Sequence, residues 1–204
     1  MSAMKKLAVA MAVITAGVVV LAGCDGDSNY DQRTVVYVSS INEGAPYLCD
    51  VLNQGDSLYY NKTTVFKIED DYIVEDKLLV EIHNRPYNGL VDTRFSLGDF
   101  LVTGYDVVFE RTDGGTELPV NAFSGDLSLL VPADSKVNAQ IVICPYYYKT
   151  VDPLVSMQYT NQEIFTNATV NFYGHEVQTD RDITFTAGIQ VNFADPLLTK
   201  TQTQ

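Results

Sequence analysis

Apolar and polar residues alternate along much of the chain after residue 33. A period of two places successive side chains on opposite faces of a sheet, so alternation of this kind predicts half-buried strands. The alternating segments are rich in β-branched and aromatic residues, which strands favour. They are residues 34–39, 77–83, 105–111, 127–131, 137–144, 164–173 and 183–193. The pattern predicts many strands and almost no helix.

Turn-forming residues separate these segments. Asp113-Gly114-Gly115 predicts a hairpin turn between strands at residues 107–111 and 118–120, because Gly readily adopts positive φ. The polar residues 174–182 separate the two longest alternating segments, which predicts a C-terminal antiparallel hairpin with a bulge at Gly174. Repeated short strands with turns between them predict an all-β fold, an antiparallel β-sandwich of immunoglobulin-like type. The chain has no Trp to fill the core position that immunoglobulin domains use.

The first 24 residues have a different pattern. Lys5 and Lys6 precede an apolar run at residues 7–21, which is short for a transmembrane helix and typical of a signal peptide. The following Leu21-Ala22-Gly23-Cys24 resembles a bacterial lipobox. The resemblance implies cleavage before Cys24 and its acylation, with chains such as palmitate. A plain secretory signal with an incidental Cys is the alternative.

These signals predict three regions of the chain and its location in the cell. Residues 1–23 are expected to be the lipoprotein signal peptide, and the polar residues 24–33 a flexible tether. Residues 34–204 are expected to form the β-sandwich, or residues 34–152 with a small C-terminal hairpin module at 153–204. Since several acyl chains anchor a protein stably, we expect it on a membrane of the bacterial cell envelope. Either the outer membrane or the periplasmic face of the inner membrane fits.

Composition and charge exclude several classes of protein. The 204-residue chain is 46% hydrophobic, which is too apolar for a disordered acidic tail. It carries 26 acidic and 13 basic side chains, and its net charge is −13. Loss of residues 1–23 removes two Lys and no acidic residue, so the mature chain would carry −15. This charge argues against a nucleic-acid partner and against a basic patch that docks on anionic lipid.

Two cysteines remain in the predicted domain, Cys49 and Cys144. In an oxidising envelope, two Cys in one exported domain favour a disulfide. Two separate buried thiols that pack as small hydrophobic groups are an equal alternative, since no spacing rule fixes the pairing.

Short blocks across the mature chain resemble a family of uncharacterised lipoproteins from deltaproteobacteria and their relatives. The blocks are Ser39-Ser40-Ile41-Asn42-Glu43-Gly44-Ala45-Pro46, His83-Asn84-Arg85-Pro86, the run from Tyr105 to Glu110-Arg111-Thr112-Asp113-Gly114-Gly115, Phe172-Tyr173-Gly174 and Val191-Asn192-Phe193-Ala194-Asp195. The resemblance implies export and a β-sandwich, and it implies no catalytic residue.

The chain offers few residues for catalysis or metal binding. His83 is expected at the edge of a strand and His175 in the solvated hairpin loop, and no nucleophile motif such as G-x-S-x-G accompanies them. Neither the His nor the Cys residues have zinc-ligand spacing. The acidic run Glu69, Asp70 and Asp71, with Glu75-Asp76 close behind it, is a weak candidate for calcium, because no calcium-loop motif is present. We therefore expect no enzyme and no cofactor.

Tyrosine is abundant, with 13 copies that include Tyr59-Tyr60 and Tyr146-Tyr147-Tyr148. Consecutive Tyr on a strand point to both faces, so each group should expose a ring. Such rings suit recognition, although β-propensity alone also explains them. The sequence thus favours a lipid-anchored structural or protein-binding module that contacts an envelope or extracellular protein. A saccharide- or calcium-binding envelope module is the alternative, and a hydrolase with a carboxylate pair is weaker still.

Overall fold

Ten strands account for most of the part of the chain that the structure, a computed structural model, describes: residues 34–53, 58–61, 64–67, 72–86 and 98–196. The strands are β1 (Thr34–Ile41), β2 (Tyr47–Asp50), β3 (Leu58–Asn61), β4 (Thr64–Lys67), β5 (Asp76–Pro86), β6 (Phe100–Arg111), β7 (Phe123–Val131), β8 (Ser135–Cys144), β9 (Glu163–Glu176) and β10 (Asp182–Ala194). A short 3-10 helix (Tyr146–Thr150) and one helical turn, α1 (Leu154–Met157), follow β8. The predicted all-β class is confirmed.

The strands form two main sheets and one small ladder. The three-stranded sheet has the order β1-β5-β8, and the five-stranded sheet has the order β2-β10-β9-β6-β7. The five-stranded sheet is curled into a half-barrel. Strands β3 and β4 pair only with each other among the described strands. Most pairs are antiparallel as predicted, but β2 runs parallel to β10.

One hydrophobic core lies between the two main sheets. Alternate residues of β5, such as Leu78 and Ile82, are buried from the three-stranded side. Phe100, Phe172 and Phe193 are buried from the five-stranded side, and all of these side chains belong to one packed cluster. Burying large apolar side chains from both sheets is the main favourable term for this fold.

The predicted C-terminal hairpin is confirmed and occupies the middle of the five-stranded sheet. Strand β9 pairs with β10 along its whole length and with β6 on its other side. The polar loop is shorter than the sequence suggested, because β9 continues to Glu176. Glu176 is fully buried and accepts hydrogen bonds from the backbone nitrogen and hydroxyl group of Thr34, at 3.1 and 2.7 Å.

The bulge lies opposite Gly174 and not at Gly174 itself. Gly174 pairs in register with Ile183 on one side and Val102 on the other. The register shifts in β6, between Val102 and Gly104. The prediction of a bulge at Gly174 was therefore wrong, since the bulge lies in β6 and Gly174 belongs to β9. Glycine is needed there because a Cβ atom would lie 2.2 Å from the backbone oxygen of Leu101.

The turn after β6 begins where the sequence predicted it, but the next strand starts later. Gly114 has a φ of 82°, a conformation that glycine adopts without strain. Arg111 donates to Asp113 at 2.7 Å, and this pair holds the turn against the end of β6. The returning strand, β7, begins at Phe123 rather than at residue 118, so the expected tight hairpin is a longer connection.

Candidate functional site

A polar cluster lies at one end of the otherwise apolar core, where the two main sheets meet. We call Cys49, Asp76, Cys144 and Lys149 the buried cluster, since all four residues are buried. Cys49 comes from β2, where it pairs with Phe193 of β10. Asp76 opens β5 directly opposite Cys144, the last residue of β8. Lys149 comes from the 3-10 helix that follows β8.

Asp76 is the centre of the hydrogen bonding in this cluster. Its Oδ2 atom accepts from the Cys49 thiol at 2.8 Å and from the Lys149 ammonium group at 2.6 Å. Its Oδ1 atom accepts from the Tyr47 hydroxyl group at 3.1 Å. Lys149 also donates to the backbone oxygen of Asp50 at 2.6 Å. Both charges therefore have the hydrogen-bond partners that a buried ion pair requires.

Burial and neighbouring groups set the protonation of the cluster. The side chain of Lys149 is 0% exposed and that of Asp76 is 11% exposed. Burial lowers the pKa of Lys149, but neighbouring groups, among them the hydrogen-bonded Asp76 carboxylate, raise it, and the net pKa is raised. Burial is also the main cause that raises the pKa of the Cys49 thiol well above its ordinary value. Lys149 is thus an ammonium and Cys49 a thiol at neutral pH.

The cluster contains atoms that bind transition metals. The two sulfur atoms and a carboxylate oxygen of Asp76 all lie within 4.8 Å of one another. A structural zinc site takes four ligands, however, and thiolates must replace both thiols. Among the described residues the cluster supplies three such ligands, and Lys149 already holds the Asp76 oxygen. The arrangement is that of a hydrogen-bonded ion pair beside two thiols.

The structure brings together two of the site residues predicted from sequence and leaves the others untested. Cys49 and Cys144 are neighbours in the core, and both are free, buried thiols. Their pairing as a disulfide stays a prediction. Cys24 and the calcium candidates Glu69, Asp70 and Asp71 lie outside the described residues.

Both histidines lie in strands. His83 was expected at an edge, but β5 lies between β1 and β8, and the Nδ1 atom of His83 is 2.7 Å from the Tyr37 hydroxyl group. His175 was expected in a loop, but it pairs with Leu101 and Asp182 within the five-stranded sheet. The predicted strand position of His83 is confirmed, but the edge was wrong because β8 pairs with β5 on the side away from β1. The loop position of His175 was wrong because β9 continues to Glu176.

Sequence reasoning missed Lys149, and it placed Asp76 only among the acidic residues of the calcium candidate. The sequence did contain a signal that Asp76 is buried. Asp76 continues, at a spacing of two, the buried positions Leu78, Val80 and Ile82. No local signal marked Lys149, which follows three Tyr residues and resembles a surface lysine. Its burial depends on Asp76, which is distant in the chain.

Exposed apolar side chains lie on β2, which is an edge strand among the described strands, and on the segment 145–162. We call Leu48, Tyr146, Tyr147 and Tyr159 the exposed patch, since they are 51, 54, 65 and 62% exposed. Contacts of Lys149 with Asp50 and of Tyr159 with Asp195 hold the segment 145–162 beside β2 and the end of β10. A shallow depression lined by Leu48, Glu163, Ala194 and Pro196 adjoins it.

The conformation of the three consecutive Tyr residues differs from the prediction. Tyr146 and Tyr147 were expected on a strand, but β8 ends at Cys144 and Pro145 precedes a 3-10 helix. The expected exposure of at least one ring is confirmed. The side chains of Tyr59 and Tyr60 lie outside the described part of the structure.

No helix in the described part of the chain is long and apolar enough to cross a membrane. Comparisons with protein-family models, with curated proteins and with solved structures find no match to this chain.

Proposed function

We propose that this protein is a lipid-anchored, non-enzymatic lipoprotein of the bacterial cell envelope that acts as a structural or protein-binding module. The observation that carries the binding part is the exposed patch beside edge strand β2. Exposed tyrosines and an unpaired strand edge are both common features of protein-recognition surfaces. The lipobox-like Leu21-Ala22-Gly23-Cys24 supports the anchor.

The edge of β2 suits strand addition by a partner. Strand β2 pairs with β10 on one side, and among the described strands none pairs with its other side. Leu48 alternates with the buried Cys49, so it presents an apolar side chain at this edge. A partner segment would gain main-chain hydrogen bonds from β2 and side-chain contacts from Leu48 and the tyrosines.

We also propose that the two main sheets form an immunoglobulin-like sandwich. Their shared core supports this arrangement, as does the connection between β7 and β8, which are consecutive in sequence and lie in different sheets. Membership of the lipoprotein family that the short sequence blocks resemble is part of the same proposal.

The first prediction concerns the lipid anchor at Cys24. Replacing Cys24 with Ser removes the thiol that would be acylated, so we expect the protein to move from the membrane fraction to the soluble envelope fraction. Fractionation of cells that express either form, followed by immunoblotting, measures the shift. Retention of Cys24→Ser in the membrane fraction would refute lipid anchoring.

The second prediction concerns the exposed patch as a binding surface. We expect the double variant Leu48→Ala/Tyr147→Ala to lose at least about tenfold in recovery of a partner, because apolar and aromatic anchors dominate interface energy. Crosslinking in intact cells followed by affinity purification and mass spectrometry measures the recovery. Leu130→Ala is the matched control, since Leu130 is 50% exposed and lies on β7, at the opposite edge of the same sheet.

Two results would contradict the proposal that the exposed patch binds a partner protein. Equal recovery of the partner with Leu48→Ala/Tyr147→Ala and with the wild type would exclude it as the binding site. A rise in melting temperature with Ca²⁺ or with a saccharide, and no recovered protein, would favour the alternative of a ligand-binding module.

A further inference from the structure

We propose that Cys49 and Cys144 form a disulfide that joins the two main sheets, and that Asp76 accepts the thiol proton of Cys49 as the bond forms. The two residues are far apart in the chain, and they belong to β2 in the five-stranded sheet and β8 in the three-stranded sheet. Both are fully buried, and their sulfur atoms lie within 4.8 Å of each other.

The surroundings of the two thiols differ, and this difference assigns their roles. Cys49 donates to the Oδ2 atom of Asp76 at 2.8 Å, while the Cys144 thiol donates to the backbone oxygen of Pro145 at the longer distance of 3.9 Å. A thiol must lose its proton before it attacks, and a carboxylate at hydrogen-bond distance is a suitable acceptor. Cys49 is therefore the attacking thiol, and Lys149 and Tyr47 hold the Asp76 carboxylate in place.

The reaction needs an oxidant, and a disulfide-bearing reagent of the glutathione class supplies it. One sulfur of the reagent first bonds to Cys144, and the reagent's other half leaves as a thiol. Cys49 then gives its proton to Asp76 and attacks the sulfur of Cys144, and the second half of the reagent leaves as a thiolate that takes up a proton. Two cysteine thiols are oxidised, and one reagent disulfide is reduced to two thiols.

Burial determines when this step occurs and how durable its product is. Reagents cannot reach sulfur atoms with no exposed area, so Cys144 must take up the reagent before β2 closes over the paired strands β5 and β8. Cys49 then attacks as β2 docks and brings its thiol to Asp76. The same burial then protects the finished bond from reductants. The proposal uses the proposed export only as the source of an oxidising compartment.

Mass spectrometry of the full-length protein, purified from the envelope without reductant, tests the bond. Free thiols are alkylated in denaturant before digestion. We expect a linked peptide pair that contains Cys49 and Cys144 and separates on reduction. Two alkylated cysteines would overturn the proposal, and so would stoichiometric zinc with both thiols free. Linked cysteines in a protein that is absent from the membrane fraction would support the bond and contradict the proposed anchoring.

Kinetics of oxidative refolding test the role of Asp76. The reduced protein is refolded with oxidised glutathione at a series of pH values, and samples are quenched with acid. We expect Asp76→Asn to form the bond roughly tenfold more slowly near neutral pH, with the difference shrinking as the pH rises and thiolate forms without help. Asp106→Asn is the matched control, since Asp106 is a half-buried carboxylate on β6 that accepts a hydrogen bond from Ser124 and not from a cysteine.

Equal rates for Asp76→Asn and the wild type at every pH would overturn the proton-acceptor role. A variant that cannot refold would show no native circular dichroism after oxidation. In that case Asp76→Glu, which retains a carboxylate, replaces it. Recovery of the wild-type pH profile supports the role, and a rate lower than that of the wild type by the same factor at every pH contradicts it.

Discussion

Replacing Lys149 with Met lowers the free energy of unfolding by about 3–5 kcal/mol, because Asp76 is then left as a buried charge without its cation. The Lys149 side chain is 0% exposed, so water cannot replace it as a partner for the carboxylate. Met retains most of the apolar stem, and therefore the loss reports on the ion pair and on the hydrogen bond to the Asp50 backbone oxygen, and not on a cavity. Urea unfolding followed by circular dichroism measures it.

An exposed ion pair of the same chemistry provides the control. Lys77 and Glu75 lie 2.9 Å apart, but their side chains are 50 and 44% exposed. Lys77→Met should change the free energy of unfolding by less than about 1 kcal/mol, since water and salt screen surface pairs. Removing both buried charges, as in Lys149→Met/Asp76→Leu, should recover a large part of the loss. Equal small effects of Lys149→Met and Lys77→Met would show that the buried pair does not stabilise the core.

Gly174→Ala should destabilise the protein by about 3 kcal/mol, because the added Cβ atom has no room. It would lie 2.2 Å from the backbone oxygen of Leu101 and 2.7 Å from the Phe100 ring. Gly174 is paired with strands on both sides, so neither β6 nor β10 can move away without loss of ladder hydrogen bonds. Thermal unfolding of the variant and of the wild type gives the difference.

Gly188→Ala is the matched control for this position. Gly188 lies on β10, and the nearest atom to its added Cβ is the backbone oxygen of Ala168, at 3.9 Å. We expect a change of less than about 1 kcal/mol, with stabilisation favoured because Ala reduces the conformational freedom of the unfolded chain. A loss at Gly188 as large as that at Gly174 would mean that general strand effects, and not crowding, explain the result.

Alternation predicted which side chains face the core. Residues 77–83 were predicted as a strand, and the structure contains it as Asp76–Pro86, with Leu78, Val80 and Ile82 fully buried. This part of the fold is local, because a residue's face on a strand depends only on its spacing from its neighbours. The same rule placed Cys144 at the end of a strand and predicted β9 and β10 as a hairpin.

Which strands pair with each other was harder to predict from the sequence. Strands β7 and β8 are joined by a short turn, yet they belong to different sheets. Strand β2 runs parallel to β10, which no turn between them could signal. Periodicity states which face of a strand is buried, and it carries no information about which strand lies alongside.

The sequence alone determined the strand-rich class, the inward-facing apolar residues, the candidate lipid anchor at Cys24 and the presence of two cysteines in the predicted domain. Only the tertiary structure decided that Cys49 and Cys144 meet, and that Asp76 and Lys149 form an ion pair beside them. The reason is physical. A buried lysine is stable only when a distant carboxylate reaches it, and that encounter depends on how the two sheets pack.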